Sequence, residues 1–269
     1  MQIRHVLLGL LLIAIAAFAQ DSGHTSVNAG VFSGSVHFSA PPPELHGQTG
    51  APYSAEETYT SVQTLADGTH ITRESSSRKL YRDSAGRTRT ERPLVIASRH
   101  QKVDVPMIVE ITDPVERVRY TLDTVNKVAH KQAIPERDRA VKRTAPRPDA
   151  AAARPQPSAE DAPQSSNEKL EPQTMEGLQV EGTRHTIVYP TGFEGNDRPI
   201  KVVNESWWSP ELEVTVLDTR NDPRFGETTN KLINIDRSEP DPSLFLPPAN
   251  YTVVEEKGDF TFKWGSESQ

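Results

Sequence analysis

The chain has 269 residues, a formal net charge of −7, 25% charged and 35% hydrophobic residues, 22 prolines and no cysteine. The missing cysteine excludes a disulfide framework, a thiolate nucleophile, a zinc ribbon and an iron–sulfur site. The negative charge is concentrated, since residues 169–269 carry 10 Lys+Arg against 18 Asp+Glu while residues 20–134 carry 13 of each. Phosphate binding calls for the opposite field, so nucleic acid is not an expected partner.

Arg4 and His5 precede an apolar run of 14 residues, from Val6 to Ala19, that ends in the small-x-small sequence Ala17-Phe18-Ala19. This layout predicts a secretory signal peptide over 1–19, cleaved near Ala19, with the mature chain periplasmic or extracellular. A membrane anchor is the alternative, but spanning takes about 20 apolar residues. No later stretch of the sequence is apolar enough to span. No cysteine follows the run, so lipid attachment there is not expected.

Over 20–132 the cues are those of hairpins. Glu57 to Leu65 and Thr69 to Arg73 flank Asp67-Gly68, a two-residue turn that needs φ > 0. Leu80 to Arg82 and Arg87 to Val95 flank Asp83-Ser84-Ala85-Gly86. Met107 to Thr112 stops at Asp113-Pro114, and Arg117 to Leu122 stops at Asp123-Thr124-Val125-Asn126 before Lys127 to Lys131. Val118, Tyr120 and Leu122 alternate with Arg117, Arg119 and Thr121, which predicts a strand with one wet face.

From 133 to 170 the chain turns rich in Pro, Ala and Ser, and Val141 is the only large aliphatic residue between 135 and 168. Such a stretch buries too little to offset its ordering entropy, so it is expected to be a disordered linker or excursion. Strands resume over 171–269: Thr183 to Tyr189, Ile200 to Trp208, Glu211 to Leu217, Glu227 to Asp236 and Tyr251 to Val254. Asp241 is placed to cap a single turn through Ser243-Leu244-Phe245, which Pro247-Pro248 ends. The whole reads as all-β, an antiparallel sheet of meander type. Segments 20–132 and 171–269 are expected to share that sheet; two separate domains are the alternative.

Catalytic signatures are missing. The sequence has no H-E-x-x-H, G-x-S-x-G, Walker loop or dinucleotide fingerprint. No two of its histidines after residue 20 lie within four residues of each other, so no metal site, cofactor or enzymatic activity is expected. Two features are candidates for binding. Arg87, Arg89 and Arg92 belong to a polar, arginine-rich hairpin suited to an anionic lipid headgroup or polysaccharide, or simply to discouraging edge-to-edge aggregation. Trp207 and Trp208 are adjacent, so a strand points them to opposite faces, and either one can serve the core or line an apolar or sugar-stacking groove.

The stretches YSAEETYTSVQTLADGTHI, KLYRDSAGRTRTE, ITDPVERVRYTLDTVNKVAHK and EGLQVEGTRHTIVYPTGFEGNDRPIKVVNESWWSPELEVTVLDTRNDPRFGETTNKLINIDRSEPDPSLFLPPANYTV resemble a group of uncharacterised secreted bacterial proteins. That resemblance implies an exported protein and carries no activity. More remotely, Glu205 to Leu212, the strand Glu227 to Asp236, and Asp241 to Pro248 are similar to the C-terminal half of the LolA/LolB lipoprotein-sorting superfamily, open half-barrels that shelter acyl chains. The resemblance implies one large curved antiparallel sheet of the open half-barrel type; the helices that usually plug such half-barrels have no counterpart here. Together these readings predict an exported, non-enzymatic envelope protein that binds or carries a hydrophobic or amphipathic ligand. A surface or matrix interaction protein using the arginine-rich hairpin is the alternative, and an unrecognised hydrolase the third.

Overall fold

The structure is a computed structural model that describes residues 24–28, 31–39, 49–74, 77–93, 106–135 and 162–264. The signal-peptide segment, the far end of the expected strand Arg87 to Val95, and residues 136–161 of the expected linker lie outside the described residues. The chain divides into two compact units, one of residues 1–40 with 259–269 and one of residues 41–258.

The smaller unit holds an antiparallel three-stranded sheet. In it β2 (Val31–Phe38) lies between β1 (His24–Asn28) and β16 (Phe260–Trp264). Phe38 stacks on Phe260 with ring centroids 5.1 Å apart, and His37 Nε2 lies 3.6 Å from Asp259 Oδ2.

The larger unit is built on one open sheet of 13 strands. In chain order these are β3 (Tyr53–Thr64), β4 (His70–Glu74), β5 (Arg78–Arg82), β6 (Thr88–Pro93), β7 (Met107–Asp113), β8 (Val118–Asp123) and β9 (Val128–Ala133). Then come β10 (Gln164–Met175), β11 (Leu178–Tyr189), β12 (Ile200–Ser209), β13 (Val214–Asp222), β14 (Gly226–Asp236) and β15 (Thr252–Glu256). The strands run in the order β10-β11-β12-β13-β14-β3-β5-β6-β7-β8-β9-β15, with β4 paired to the far half of β3. All ladders are antiparallel except β15 on β9, which is parallel. The β14–β3 ladder joins the two halves of the sequence into this sheet.

Four of its corners, among the described residues, share one form. Asp113 Oδ1 accepts hydrogen bonds from the backbone N–H groups of Val115 and Glu116, at 2.8 and 2.9 Å. Asp123 Oδ1 does the same for Val125 and Asn126, at 2.9 and 3.0 Å, and Asp222 Oδ1 for Arg224 at 3.1 Å. At the β12–β13 corner Ser209 Oγ takes the N–H of Leu212. The fifth residue of each corner is left-handed: Arg117 (φ 55), Lys127 (φ 56), Glu213 (φ 53) and Gly226 (φ 95). A carboxylate that satisfies turn N–H groups can be buried, and all three aspartates are.

Among the described residues, two apolar clusters help hold the sheet. One gathers Tyr53, Leu178, Val180, Trp207, Leu212, Val216 and Leu232, from the end where β11 starts and β12 finishes. The other packs Val109, Ile111, Leu122 and Ala129 beneath Phe245, on a 3-10 turn over Pro242–Phe245. Asp241 Oδ1 caps that turn by accepting from Ser243 N at 2.8 Å, as its sequence predicts.

Three expectations need correction. Glu211 to Leu217 is not one strand: 209–213 is the corner, and β13 runs from Val214 on to Asp222, because Ser209 and the left-handed Glu213 turn the chain there. Strand β10 begins at Gln164, inside the stretch expected to be a linker, because a strand at a sheet edge needs backbone pairing more than apolar residues. The second face of β8 is not wet, since Thr121 is fully buried.

Candidate functional site

The cluster around Trp207 and Leu178 lies at one end of the sheet, and exposed aromatic and charged side chains gather at the other. At the second end Tyr189 finishes β11, Asp222 finishes β13 and Thr64 finishes β3. Here residues 190–199 connect β11 to β12, and Asn196 shapes this loop. Its amide nitrogen donates to the carbonyls of Pro190 and Arg198, both at 2.8 Å, and its amide oxygen takes the N–H of Glu194 at 3.0 Å. The loop thereby presents Phe193 (42% exposed) and the Glu194 carboxylate.

Arg224, on the β13–β14 corner, is the hub. Its Nε and NH2 nitrogens donate to the Asp222 carboxylate at 2.9 and 2.8 Å, and its NH1 to Glu194 Oε2. Arg220 donates to the same Asp222 Oδ2 at 3.0 Å. These bonds, from Arg224 first, hold the Asp222 carboxyl far below the usual carboxylate range and keep the Arg224 guanidinium firmly protonated. The guanidinium lies over the Tyr189 ring at 4.8 Å and near the Phe225 ring at 5.4 Å, and Tyr189 meets Phe193 at 5.8 Å. The result is a continuous stack, Phe193–Tyr189–Arg224–Phe225, whose outermost member Phe225 is 67% exposed. Each contact is favourable, and the ion pairs fix the central cation so that the stack is set before anything binds.

Beside the stack lies a cleft of about 400 Å³, between the β3–β4 hairpin and the β13–β14 corner. Gln63, His70, Asn221, Asp222 and Glu227 are among the residues lining it. Gly226 forms part of its wall because a Cβ there would lie 2.2 Å from Val62 O. His70 Nδ1 is 3.0 Å from Thr64 Oγ1. Among the described residues no group of three or more His, Asp and Glu side chains is arranged to hold a metal.

The residues singled out by sequence lie elsewhere. Trp207 is buried at 5% exposure, its ring lying on Gly182, where a Cβ would meet it at 2.6 Å. Trp208 faces the other way and is 41% exposed. In the arginine-rich hairpin, Arg87 Nε donates to Asp83 Oδ2 at 2.6 Å, with its guanidinium 5.3 Å from the Phe245 ring. Arg89 donates to Glu91 at 2.7 Å and to Leu244 O at 2.9 Å, and Arg92 Nε lies 3.8 Å from Glu110. Their charges are therefore met inside the sheet. Sequence reasoning passed over Phe193 and Phe225, although an aromatic residue between Gly192 and Gly195, or in Asp222-Pro223-Arg224-Phe225-Gly226, has no core to enter.

No protein-family model and no curated protein matches the chain. Among solved structures it is similar to an uncharacterized conserved protein from Thermus thermophilus, with 9% identity, 77% of this chain and 91% of that chain covered, and TM-score 0.36. It is also similar to a chain of the Pseudomonas aeruginosa MucA/MucB complex, with 8% identity, 76% of this chain, 58% of that chain and TM-score 0.36. A DUF1329 family protein from Desulfovibrio piger shares 11% identity over 73% of this chain and 90% of that chain, with TM-score 0.21. At such low TM-scores none of these likenesses bears on what the chain binds.

Proposed function

We propose that the protein is an exported, non-enzymatic binding module that docks on cell-envelope material through the aromatic–arginine end of its sheet. The observation that carries this is the Phe193–Tyr189–Arg224–Phe225 stack, two of whose rings are exposed yet held in place. Exposed aromatic side chains on a rigid support lose little entropy on binding, which makes them good anchors. The arginine-rich hairpin supports this reading less well, because Arg87, Arg89 and Arg92 have carboxylate partners of their own.

Purified protein mixed with isolated envelopes, then spun down, tests the reading. Phe193→Ser with Phe225→Ser should lower the bound fraction at least tenfold while leaving the melting temperature nearly unchanged, since both rings face solvent. Equal sedimentation of variant and wild type would contradict it. A lipid that copurifies with both proteins would instead favour a carrier of amphipathic ligands.

A further inference from the structure

We infer that the cleft beside the stack is a subsite for a neutral saccharide chain; this inference rests on the binding-module reading above. A sugar ring has two kinds of surface, an apolar C–H face and an edge of hydroxyl groups that both donate and accept. A site for it needs an aromatic face beside mixed donors and acceptors. The cleft supplies the second part: the Gln63 and Asn221 amides each offer a donor and an acceptor, the His70 ring one more position, and the Glu227 carboxylate accepts. Gln63, Asn221 and Glu227 make no side-chain hydrogen bond among the described residues, so these groups are free for a ligand. Phe225 is not itself part of the lining, but it is exposed and stands in the chain between Arg224 and Gly226, which both line the cleft, so it offers an aromatic face just outside it. A volume of about 400 Å³ suits a small-ligand site and holds one or two sugar rings, with the next ring of a chain resting on Phe225.

Charge selects a neutral ligand. Arg224, the cation among the residues lining the cleft, is engaged by Asp222 and Glu194, and Glu227 adds a further negative charge there. An anionic glycan or an anionic lipid headgroup would find no free cation there, and would approach a half-chain with 18 acidic against 10 basic residues.

Calorimetric titration of the full protein with chitotetraose, cellotetraose, maltotetraose and mannotetraose tests this, with oligogalacturonate and phosphatidylglycerol vesicles as anionic probes. At least one neutral oligomer should bind, with an affinity that changes less than twofold up to about 0.5 M salt. Phe225→Ala, and separately Asn221→Ala with Gln63→Ala, should each weaken it at least tenfold. Both variants alter exposed or partly exposed side chains, and an unchanged melting temperature confirms that they fold. Failure of all four neutral oligomers, binding only of the anionic probes, or binding indifferent to both variants overturns the saccharide inference. If envelope sedimentation still depends on Phe193 and Phe225, the binding-module reading survives that failure; if it does not, both fall.

Discussion

Gly226 and Glu213 occupy equivalent places, the left-handed fifth residue of a four-step corner, yet they answer to different constraints. At Gly226 an added Cβ would strike the backbone carbonyl of Val62, whereas the left-handed Glu213 already carries a side chain and is exposed. Gly226→Ala should therefore cost about 2 kcal/mol, and Glu213→Gly should be neutral or raise stability by up to about 1 kcal/mol. Urea unfolding of both variants checks the opposite signs, and equal losses would contradict the assignment. The carboxylates make a second contrast. Asp222 is held far below the normal range by Arg224, so the stability it contributes is present above the unfolded pKa of about 4 and is lost as pH falls below it. Asp67, Asp236 and Asp241 are also lowered, by hydrogen bonds from Thr69, Ser238 and Ser243, and have the same sign. Asp218 is raised by burial, so its cost is present when it is ionised and is relieved in acid. Melting curves across pH should show Asp222→Asn destabilising at pH 7 and flattening the acid loss, and Asp218→Asn raising the melting temperature at pH 7. The Asp-Pro and Asp-x-x-Asn corners were readable because a turn aspartate needs only its neighbours. The contacts of Arg92 with Glu110 and of Arg89 with the Leu244 carbonyl were not, because those partners arrive only through the sheet and the 3-10 turn.

Among the elements, the segment around Pro242–Phe245 does the most with the fewest residues. It closes one face of β7–β9 by inserting Phe245, 1% exposed, against Val109, Ile111, Leu122 and Ala129. Phe245→Ala should cost about 3–5 kcal/mol, readable as a lower urea midpoint, and a loss under 1 kcal/mol would show that the segment is not part of the core. Arg82 ties three elements together by a different means: at the end of β5 it donates to Ala51 O and to Leu212 O, with its guanidinium 4.8 Å from the Tyr53 ring. Strands that alternate or end at Asp-Pro, such as β8 and β7, could be recognised from local pattern. Strand β10 could not, because QSSNEKLEPQTM is exposed over nearly all its length and is held by its ladder to β11 and the Glu168–Arg184–Glu205 bridge. Its charges, Pro172 and the irregular register between Leu170 and Gln173 suit an edge that must not recruit another strand.

In the larger unit as a whole, the Trp207 cluster and the aromatic–arginine stack stand at opposite ends of the strands. Trp207, Leu178, Val216 and Leu232 pack at one end, and the stack and its polar cleft stand at the other. The all-β, antiparallel class was readable from turn spacing and the lack of helical periodicity. The site was not, because its parts come from residues 62–70, 189–196 and 221–227, which only the order β11-β12-β13-β14-β3-β4 brings together. Tryptophans stand out in a sequence, but the buried one of the pair, Trp207, serves to cover Gly182. The central claim is that binding happens at the aromatic–arginine end. Hydrogen exchange of the full protein, free and bound to isolated envelopes, tests it most directly. Protection confined to residues 62–70, 189–196 and 221–227 is the predicted result, and protection centred on residues 84–93 or on β10 would contradict it.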